Sequence, residues 1–423
     1  MSDIITIFED YKQNISEYKE HFSTIEEFKT FFGEQNLVLE TDGSIQVKRY
    51  VGFFQKGNTQ IQILPKIYSG TAVHKSEVKE SLAFMFRLLQ LSGYFGFKEL
   101  DNLNIDTNTN SLLEIFIRIF IEKFNTQFNK TPYFEYVNIV ENQQLIKGKI
   151  LFTENIKKNS YRPHQHIVEF DEFSIDNNLN RLFKYIINEL LKKTKDSKNR
   201  MLLKQATTML EDVSNISISA QFFNRIQFTR QNNQYKSLFN FAKLFFFNNQ
   251  PSINKGNENT FSFLIPLNLL FEKSVLVFLK NIEQKRTNYK VSYQNNKVFG
   301  KENGIDVFNL KPDFVISEKN INKTLVVLDT KYKYPFNNDN NPHIKESDLY
   351  QLTTYASAHN CNLLFLIYPL FKKSPNSDTL ITTYELKTRT IKTYLHILQV
   401  DITNINLIEV AETLNDNILS FLT

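Results

Sequence analysis

Asp313 follows Pro312 in LKPDFVIS, and Asp329 stands two positions before Lys331 in TLVVLDTKYK. Both segments read as β-strands, joined across the polar run Glu318 to Lys323 as a hairpin or as adjacent strands. Side chains alternate along a strand, so Asp329 and Lys331 project from the same face. Two carboxylates offer hard oxygens to Mg²⁺, or to Mn²⁺, and leave coordination positions for water and a phosphate oxygen. The lysine can orient or deprotonate an attacking water and offset phosphate charge. Metal-dependent phosphodiester hydrolysis is the chemistry this set allows, with Asp313 and Asp329 as metal ligands and Lys331 as the water-positioning group. A Pro-Asp turn and an exposed Asp-x-Lys pair also occur in β-rich proteins without such chemistry, so further residues must join them.

Glu272 lies in the helical run PLNLLFEKSVLVFLK beside apolar Phe271, Val275 and Leu276, where it can reach the metal or a water bound to it. A helix beginning near Ser347 carries Gln351 and Tyr355, four apart and so on one face, where an amide and a phenol can meet a DNA phosphate or the lysine. The alternatives are a solvated helix carboxylate and a surface pair. Lys331, Tyr332, Lys333 and Tyr334 interleave cations with aromatics and can follow a DNA backbone, or form an exposed strand end.

The elements that must position these residues divide into three parts. Residues 1–74 read as a small β-rich module: a capping box, Ser23-x-x-Glu26, opens a helix that stops at Gly33, and three strands of a meander follow, NLVLE, SIQVKRYVGFF and QIQILPKI, with turns at Asp42-Gly43 and Gly57-Asn58. Residues 75–250 are mixed and mainly helical. Helices are expected in SLAFMFRLLQLSGYF and SLLEIFIRIFIEKFNTQF, strands near 133–152 and 166–170, and a helix through RLFKYIINELLKK capped by Asp176. The polar segment NNQPSINKGNENT (248–260) reads as a boundary or long loop, and residues 260–423 form an α/β domain closed by an amphipathic helix over 407–422. The fold class is therefore mixed α+β, and no internal repeat is present.

Composition excludes more than it assigns. Hydrophobic residues at 41% and charged residues at 22% describe a folded soluble chain. A net charge of +5 permits a phosphate-binding surface without requiring one. Cys361 is the single cysteine, which rules out an intrachain disulfide, a CxxC zinc site and an iron–sulfur cluster, and fits a reducing cytoplasm. The first twelve residues hold Asp3, Glu9 and Asp10 and do not read as a signal peptide, and the Phe-rich run 238–247 is broken by Asn240 and Lys243, so no membrane role is expected. Gly148-Lys149 precedes Ile150 and Gly300-Lys301 precedes Glu302, so neither is a phosphate-binding loop and the chain is not expected to bind or hydrolyse nucleotide by itself.

The order Glu272, Asp313, Asp329-x-Lys331, Gln351-x-x-x-Tyr355 resembles the PD-(D/E)-x-K nuclease superfamily, in the branch with a Gln-x-x-x-Tyr helix. Within it the chain is similar to the McrC family, the nuclease partners of GTP-driven 5-methylcytosine restriction complexes. Ile61 to Ile67 (IQILPKI), Leu88 to Tyr94 (LLQLSGY), Leu145 to Ile150 (LIKGKI) and Asn180 to Ile187 (NRLFKYII) carry the likeness outside the site, and LLFEKSV and DLYQLTTYA carry it within. The resemblance implies a C-terminal restriction-endonuclease-like domain, a metal-dependent endonuclease acting on double-stranded DNA, and a separate AAA+ GTPase that the β module and middle region dock onto and stimulate. Greater length than a minimal member puts the partner contacts in doubt rather than the chemistry. Rival readings are a helicase-linked repair exonuclease of the same fold, a non-catalytic GTPase-activating assembly subunit, and a small-molecule enzyme built on histidines such as His164 and His166, which lack a nearby acidic or cysteine ligand.

Overall fold

The computed structural model describes residues 3–69, 76–93, 111–247, 260–302, 305–321, 323–337, 339–387, 392–404 and 406–422. Contacts group the chain into two compact units, residues 1–110 with 260–423 and residues 111–259. Elements are numbered along the chain.

The first unit begins with β1 (Asp3–Phe8), β2 (Gln13–Asn14), α1 (Phe22–Phe32), β3 (Leu37–Leu39), β4 (Ser44–Val47), β5 (Tyr50–Lys56), β6 (Thr59–Leu64) and α2 (Glu77–Leu91). The turns fall at Gly43 and Gly57, whose φ of 83° and 55° suit glycine. The expected meander does not form as one sheet. SIQVKRYVGFF breaks at Arg49, which adopts φ 69° while its N–H donates to Glu9 Oε1 at 2.8 Å. β4 thus joins a three-stranded sheet, β2-β4-β3, and β5 joins a second one in which β1 runs parallel to β6. The Ser23 capping box does not form either. A 3₁₀ turn over Ser16–His21 runs directly into α1, so the helix has no separate start for Ser23 to cap, although it stops at Gly33 with φ 90° as its sequence requires.

The second unit holds α3 (Leu112–Lys130), β7 (Glu135–Gln143), β8 (Lys149–Ile150), α4 (Phe152–Asn159), β9 (His166–Ser174), α5 (Asn178–Lys193), α6 (Ser197–Met209) and α7 (Lys236–Phe247). Its helices close around Phe120, Phe124, Phe183, Tyr235 and Phe241, all under 2% exposed. Asp176 does not cap α5. Asn177 does, accepting the Asn180 N–H at 3.1 Å, while Asp176 takes two bonds from Arg181, which together with Ser214 hold its carboxyl far below the usual range. β9 pairs with both β7 and β8, and Gly148 in the turn before β8 has φ 72° with space for no Cβ, since one would lie 2.3 Å from the Glu169 carbonyl. The expected loop 248–260 lies outside the described residues except for its last position.

β10 (Thr260–Pro266) returns the chain to the first unit and pairs antiparallel with β5 along its length, completing the order β1-β6-β5-β10. Residues 1–74 and 260–423 were expected as separate parts; this shared sheet makes them one compact unit. α8 (Leu267–Lys285) follows, then β11 (Tyr289–Tyr293), β12 (Lys297–Glu302), β13 (Ile305–Leu310), β14 (Phe314–Glu318), β15 (Lys323–Thr330), α9 (Glu346–His359), β16 (Leu363–Pro369), β17 (Leu380–Leu386), β18 (Thr393–Val400) and α10 (Leu407–Leu419). Six of these strands form the sheet β11-β14-β15-β16-β18-β17, with β15, β16 and β18 parallel at its centre. Val326 to Leu328 and Leu364 to Tyr368 are fully buried, the continuous apolar run of strands covered on both faces. Val315, Val327, Leu364 and Leu366 pack with Leu352 and Tyr355 of α9, so alternation puts Ile316, Val326 and Leu328 on the opposite face.

Gly52 in β5 has φ 141°, and a Cβ there would lie 1.8 Å from the Phe263 carbonyl of β10. Gly52→Ala is expected to separate β5 from β10 and destabilise the protein by about 3 kcal/mol or more, combining an unfavourable backbone conformation with a clash. A urea unfolding midpoint equal to that of the wild type would rule out this packing.

Candidate active site at the end of the central strands

The alternation that buries Val327 against α9 continues through Asp329 to Lys331, so the carboxylate and the ammonium reach the α9 side together. Lys331 lies just past β15, where its N–H still donates to the Ile367 carbonyl of β16 at 3.0 Å. Its ammonium pairs with Asp329 Oδ2 and donates to Gln351 Oε1 at 3.3 Å. Gln351 Nε2 donates to the Tyr355 hydroxyl at 2.7 Å, and that hydroxyl donates to the Lys311 carbonyl at 3.2 Å, just before Pro312 and Asp313. Gln351 and Tyr355 thus share a helix face and link the two strand segments.

Asp313 is tied to the end of β15 by Thr330, whose N–H and hydroxyl each donate to Asp313 Oδ2 at 2.6 Å. Burial raises the Asp313 pKa, with the Thr330 bonds and Lys331 acting against the rise. Asp329, 2% exposed, is pushed up to about 7, first by burial and then by the neighbouring Asp313, with Lys331 opposing. Burial pulls the Lys331 pKa down, but Asp329 outweighs it and the net shift is upward, so the ammonium stays charged.

Glu272 projects from α8 and is 9% exposed. Its Oε1 accepts from Gln294 Nε2 at 2.9 Å, and Gln294 also donates its backbone N–H to the Asp313 carbonyl at 2.8 Å. Burial, then Asp313, raise the Glu272 pKa, while bonds from Gln294 and Tyr293 lower it. Glu272 therefore senses Asp313 electrostatically. Among the described residues no three His, Cys, Asp or Glu side chains converge closely enough to form a metal-binding group. His164 and His166 likewise belong to no metal-binding group among the described residues.

Lys333 forms an ion pair with Asp348, at the start of α9. Tyr332, expected along a DNA backbone, is instead packed among Phe84, Phe271 and Phe371, and its hydroxyl donates to the Lys66 carbonyl at 3.3 Å. These interior contacts occupy its ring, so Tyr332 packs the core instead of lying along a DNA backbone. Thr330, Tyr293, Gln294 and Asp348 were not singled out from the sequence. Thr330 and Asp348 sit inside the recognised segments DTK and DLYQLTTYA, whereas Tyr293 and Gln294 lie in YQNN with no motif around them.

A mixed α+β protein with a buried carboxylate, a half-buried one beside it and a charged lysine at the ends of its central strands is thus defined. A family model described as McrBC 5-methylcytosine restriction system component matches residues 45–369, more than three quarters of the chain, and the chain belongs to this family. Among solved structures, the chain is similar to one described as a refined half-complex from a tetradecameric assembly of Thermococcus gammatolerans McrB AAA+ hexamers with bound McrC. The identity is 20%, the TM-score 0.76, and the match covers 99% of this chain and 100% of that one. A second, a cryo-EM structure of the Thermococcus gammatolerans McrBC complex, is 24% identical with a TM-score of 0.49 and covers 66% of this chain and 87% of that one. At 20% identity the first likeness establishes the fold. Comparison with curated proteins gives no match. No helix among the described residues is long and apolar enough to cross a membrane.

A carboxyl whose folded pKa exceeds its unfolded one stabilises the fold fully below the unfolded value and loses that contribution as pH rises through the folded value. Between its ordinary 3.8 and about 7, Asp329 should therefore cost the metal-free protein stability as pH increases. In EDTA the wild type is expected to lose about 2 kcal/mol more than Asp329→Asn between pH 5 and pH 8. Urea unfolding at both pH values measures this, and parallel losses in the two proteins would show that the fold does not raise the Asp329 pKa.

Proposed function

We propose that the chain is the DNA-cutting subunit of a GTP-dependent restriction system directed at modified DNA, with a PD-(D/E)-x-K site that hydrolyses phosphodiesters with Mg²⁺. The observation that carries this reading is the convergence of Asp313, Asp329, Lys331, Gln351 and Tyr355 at one end of the central sheet. Two adjacent carboxylates in a buried setting repel each other, and a divalent cation is the partner that such a pair lacks. When bound, Mg²⁺ would supply a water of lowered pKa and neutralise charge on the phosphate. Asp313 and Asp329 would hold it. Thr330 fixes the Asp313 carboxylate through Oδ2. Lys331 is protonated and so has donors only, which suits it to orienting the attacking water and offsetting phosphate charge rather than taking a proton. Gln351, locked by Tyr355, restricts where the ammonium can point. Glu272 and Gln294 hold the segment that carries Asp313.

The partner in this reading is an AAA+ GTPase, since the similar Thermococcus gammatolerans chain is bound to McrB AAA+ hexamers. The second unit has a surface suited to protein contact. Around β7, β9 and α4, Tyr161 is 96% exposed, Leu145 80% and Tyr136 72%, with Phe152, Ile156 and Phe173 also exposed. Single exposed apolar residues are ordinary, but this many within one small sheet and its helix mark an interaction face.

With Mg²⁺, the partner GTPase and GTP, the wild type should cut methylated plasmid DNA and leave unmethylated plasmid intact, and Asp329→Asn should cut neither detectably, with complex assembly unchanged. Gln351→Ala should cut about 10- to 100-fold more slowly, as expected for a residue that orients another. Equal cutting by Asp329→Asn removes this site from catalysis, and no cutting by the wild type favours a non-catalytic assembly subunit. Separately, joint substitution of Tyr136, Leu145 and Tyr161 by serine is expected to weaken co-purification of the GTPase while leaving the melting temperature in place. Undiminished co-purification would exclude this face.

A further inference from the structure

Beside the candidate active site, and within the first unit, lies a cavity of about 220 Å³. Tyr11, Tyr334, Phe336 and Phe371 give it aromatic walls, and the carboxyls of Glu9 and Asp10 line it. The walls are held in place. Tyr334 packs against both Phe336 and Phe371 with ring centroids 5.5 Å apart, and the Tyr11 ring lies 4.2 Å beneath the Lys66 ammonium. Lys333, two residues beyond Lys331, also borders the cavity, which puts it next to the phosphodiester site.

Cations and carboxyls both surround the cavity, with Lys333 paired to Asp348 and Lys66 to Glu77. Lys345, Lys48, Lys333 and Arg49 all act on the Asp10 carboxyl, whereas Glu9 is 5% exposed, pushed up to about 8 by burial, and largely neutral at pH 7. Aromatic walls, hydrogen-bonding carboxyls and surrounding cations correspond to the three parts of a nucleotide: base plane, base edge and phosphate.

We propose that this cavity receives a single unstacked nucleobase of the DNA strand lying at the Lys331 site. The inference rests on the nuclease reading given above. The volume falls below the ~300–1,000 Å³ of pockets for drug-sized ligands and limits the occupant to about one ring system. Stacking on aromatic side chains returns the energy lost when a base leaves the helix stack, and it serves any base because each has a π face. Glu9 and Asp10 add selectivity, because the exocyclic amino groups of adenine, cytosine and guanine can bond to a carboxyl and thymine has none. The flanking phosphates then meet Lys48, Arg49 and Lys345.

The test uses full-length Asp329→Asn in EDTA, so that binding is read without cleavage. A hexathymidylate with one central 2-aminopurine reports base capture, and the absence of Trp from the chain keeps indole emission out of the signal. Quenching on binding is expected, together with tighter binding of (dA)₆ and (dC)₆ than of (dT)₆. Tyr11→Ala and Tyr334→Ala should each weaken (dA)₆ binding about tenfold and abolish the quench. Asp10→Ala, a change at an exposed position, should remove the preference over (dT)₆, and it keeps the test decisive if a tyrosine variant fails to fold. Unchanged affinity and quenching in folded Tyr11→Ala and Tyr334→Ala would overturn the proposal. So would 2′-deoxyadenosine 5′-monophosphate binding as tightly as (dA)₆, which would assign the cavity to a free nucleotide. Cutting by Asp329→Asn in Mg²⁺ would count against the nuclease reading alone, since base capture is measured independently of it.

Discussion

Two carboxylates kept close together where water is largely excluded, with one lysine to offset them, set the demands on the rest of the C-terminal sheet. Burial favours the neutral forms of both Asp313 and Asp329, and the Asp313 charge adds to it at Asp329, while Lys331 opposes the shift at both and the Thr330 bonds oppose it at Asp313. Such a group persists only if its neighbours cannot relax away from it. The central strands meet that condition by being buried on both faces, which fixes the direction of every side chain along β15. Thr330 then clamps Asp313 with two bonds to one oxygen, and Gln351 restrains the lysine from α9. The packed core and the reactive edge are therefore one construction, because the alternation that buries Val327 also aims Asp329 and Lys331.

The sequence made this much of the site legible because strand period and helix period are local rules. An Asp-x-Lys spacing fixes one face of a strand and a Gln-x-x-x-Tyr spacing one face of a helix, wherever those elements end up. Tyr293 and Gln294 obey no such rule. Gln294 matters because a backbone with φ 49° lets it touch both Asp313 and Glu272, and neither contact is coded by spacing. Tyr332 shows the opposite error. Basic and aromatic alternation suggested a surface strand end, but the side chain meets Phe84 and Phe271 from distant segments, so long-range packing determines its role.

The fold was legible to a similar limit. Helices with strong period and clear ends appear where expected, α3 and α10 among them, and so do the turns at Gly43 and Gly57. The break at Arg49 does not show in the pattern, since every residue of SIQVKRYVGFF tolerates a strand. It depends on the buried Glu9 carboxyl, 40 positions earlier, accepting the Arg49 N–H. The division into parts went the same way, because pairing of β10 with β5 is a contact between segments some two hundred residues apart, with no signature in either. Local signals placed the pieces, and long-range hydrogen bonds decided which sheet each one joined.

Charge gives the last step of the argument. A net charge of +5 suggests a chain ready to bind a polyanion, yet the lysines nearest the reactive edge already have acidic partners. Lys331 meets Asp329, Lys333 meets Asp348, Lys372 meets Glu80, and Lys66 lies 3.5 Å from the fully buried Glu77. Counterion release, the main source of affinity for DNA, scales with the number of phosphates that cations neutralise, and a cation already neutralised by a carboxylate contributes little to it. On the proposed reading the site is arranged for positioning rather than for capture. Affinity must then come from groups other than these four lysines, which is a physical reason for a cutting chain of this construction to work with a partner that holds the DNA.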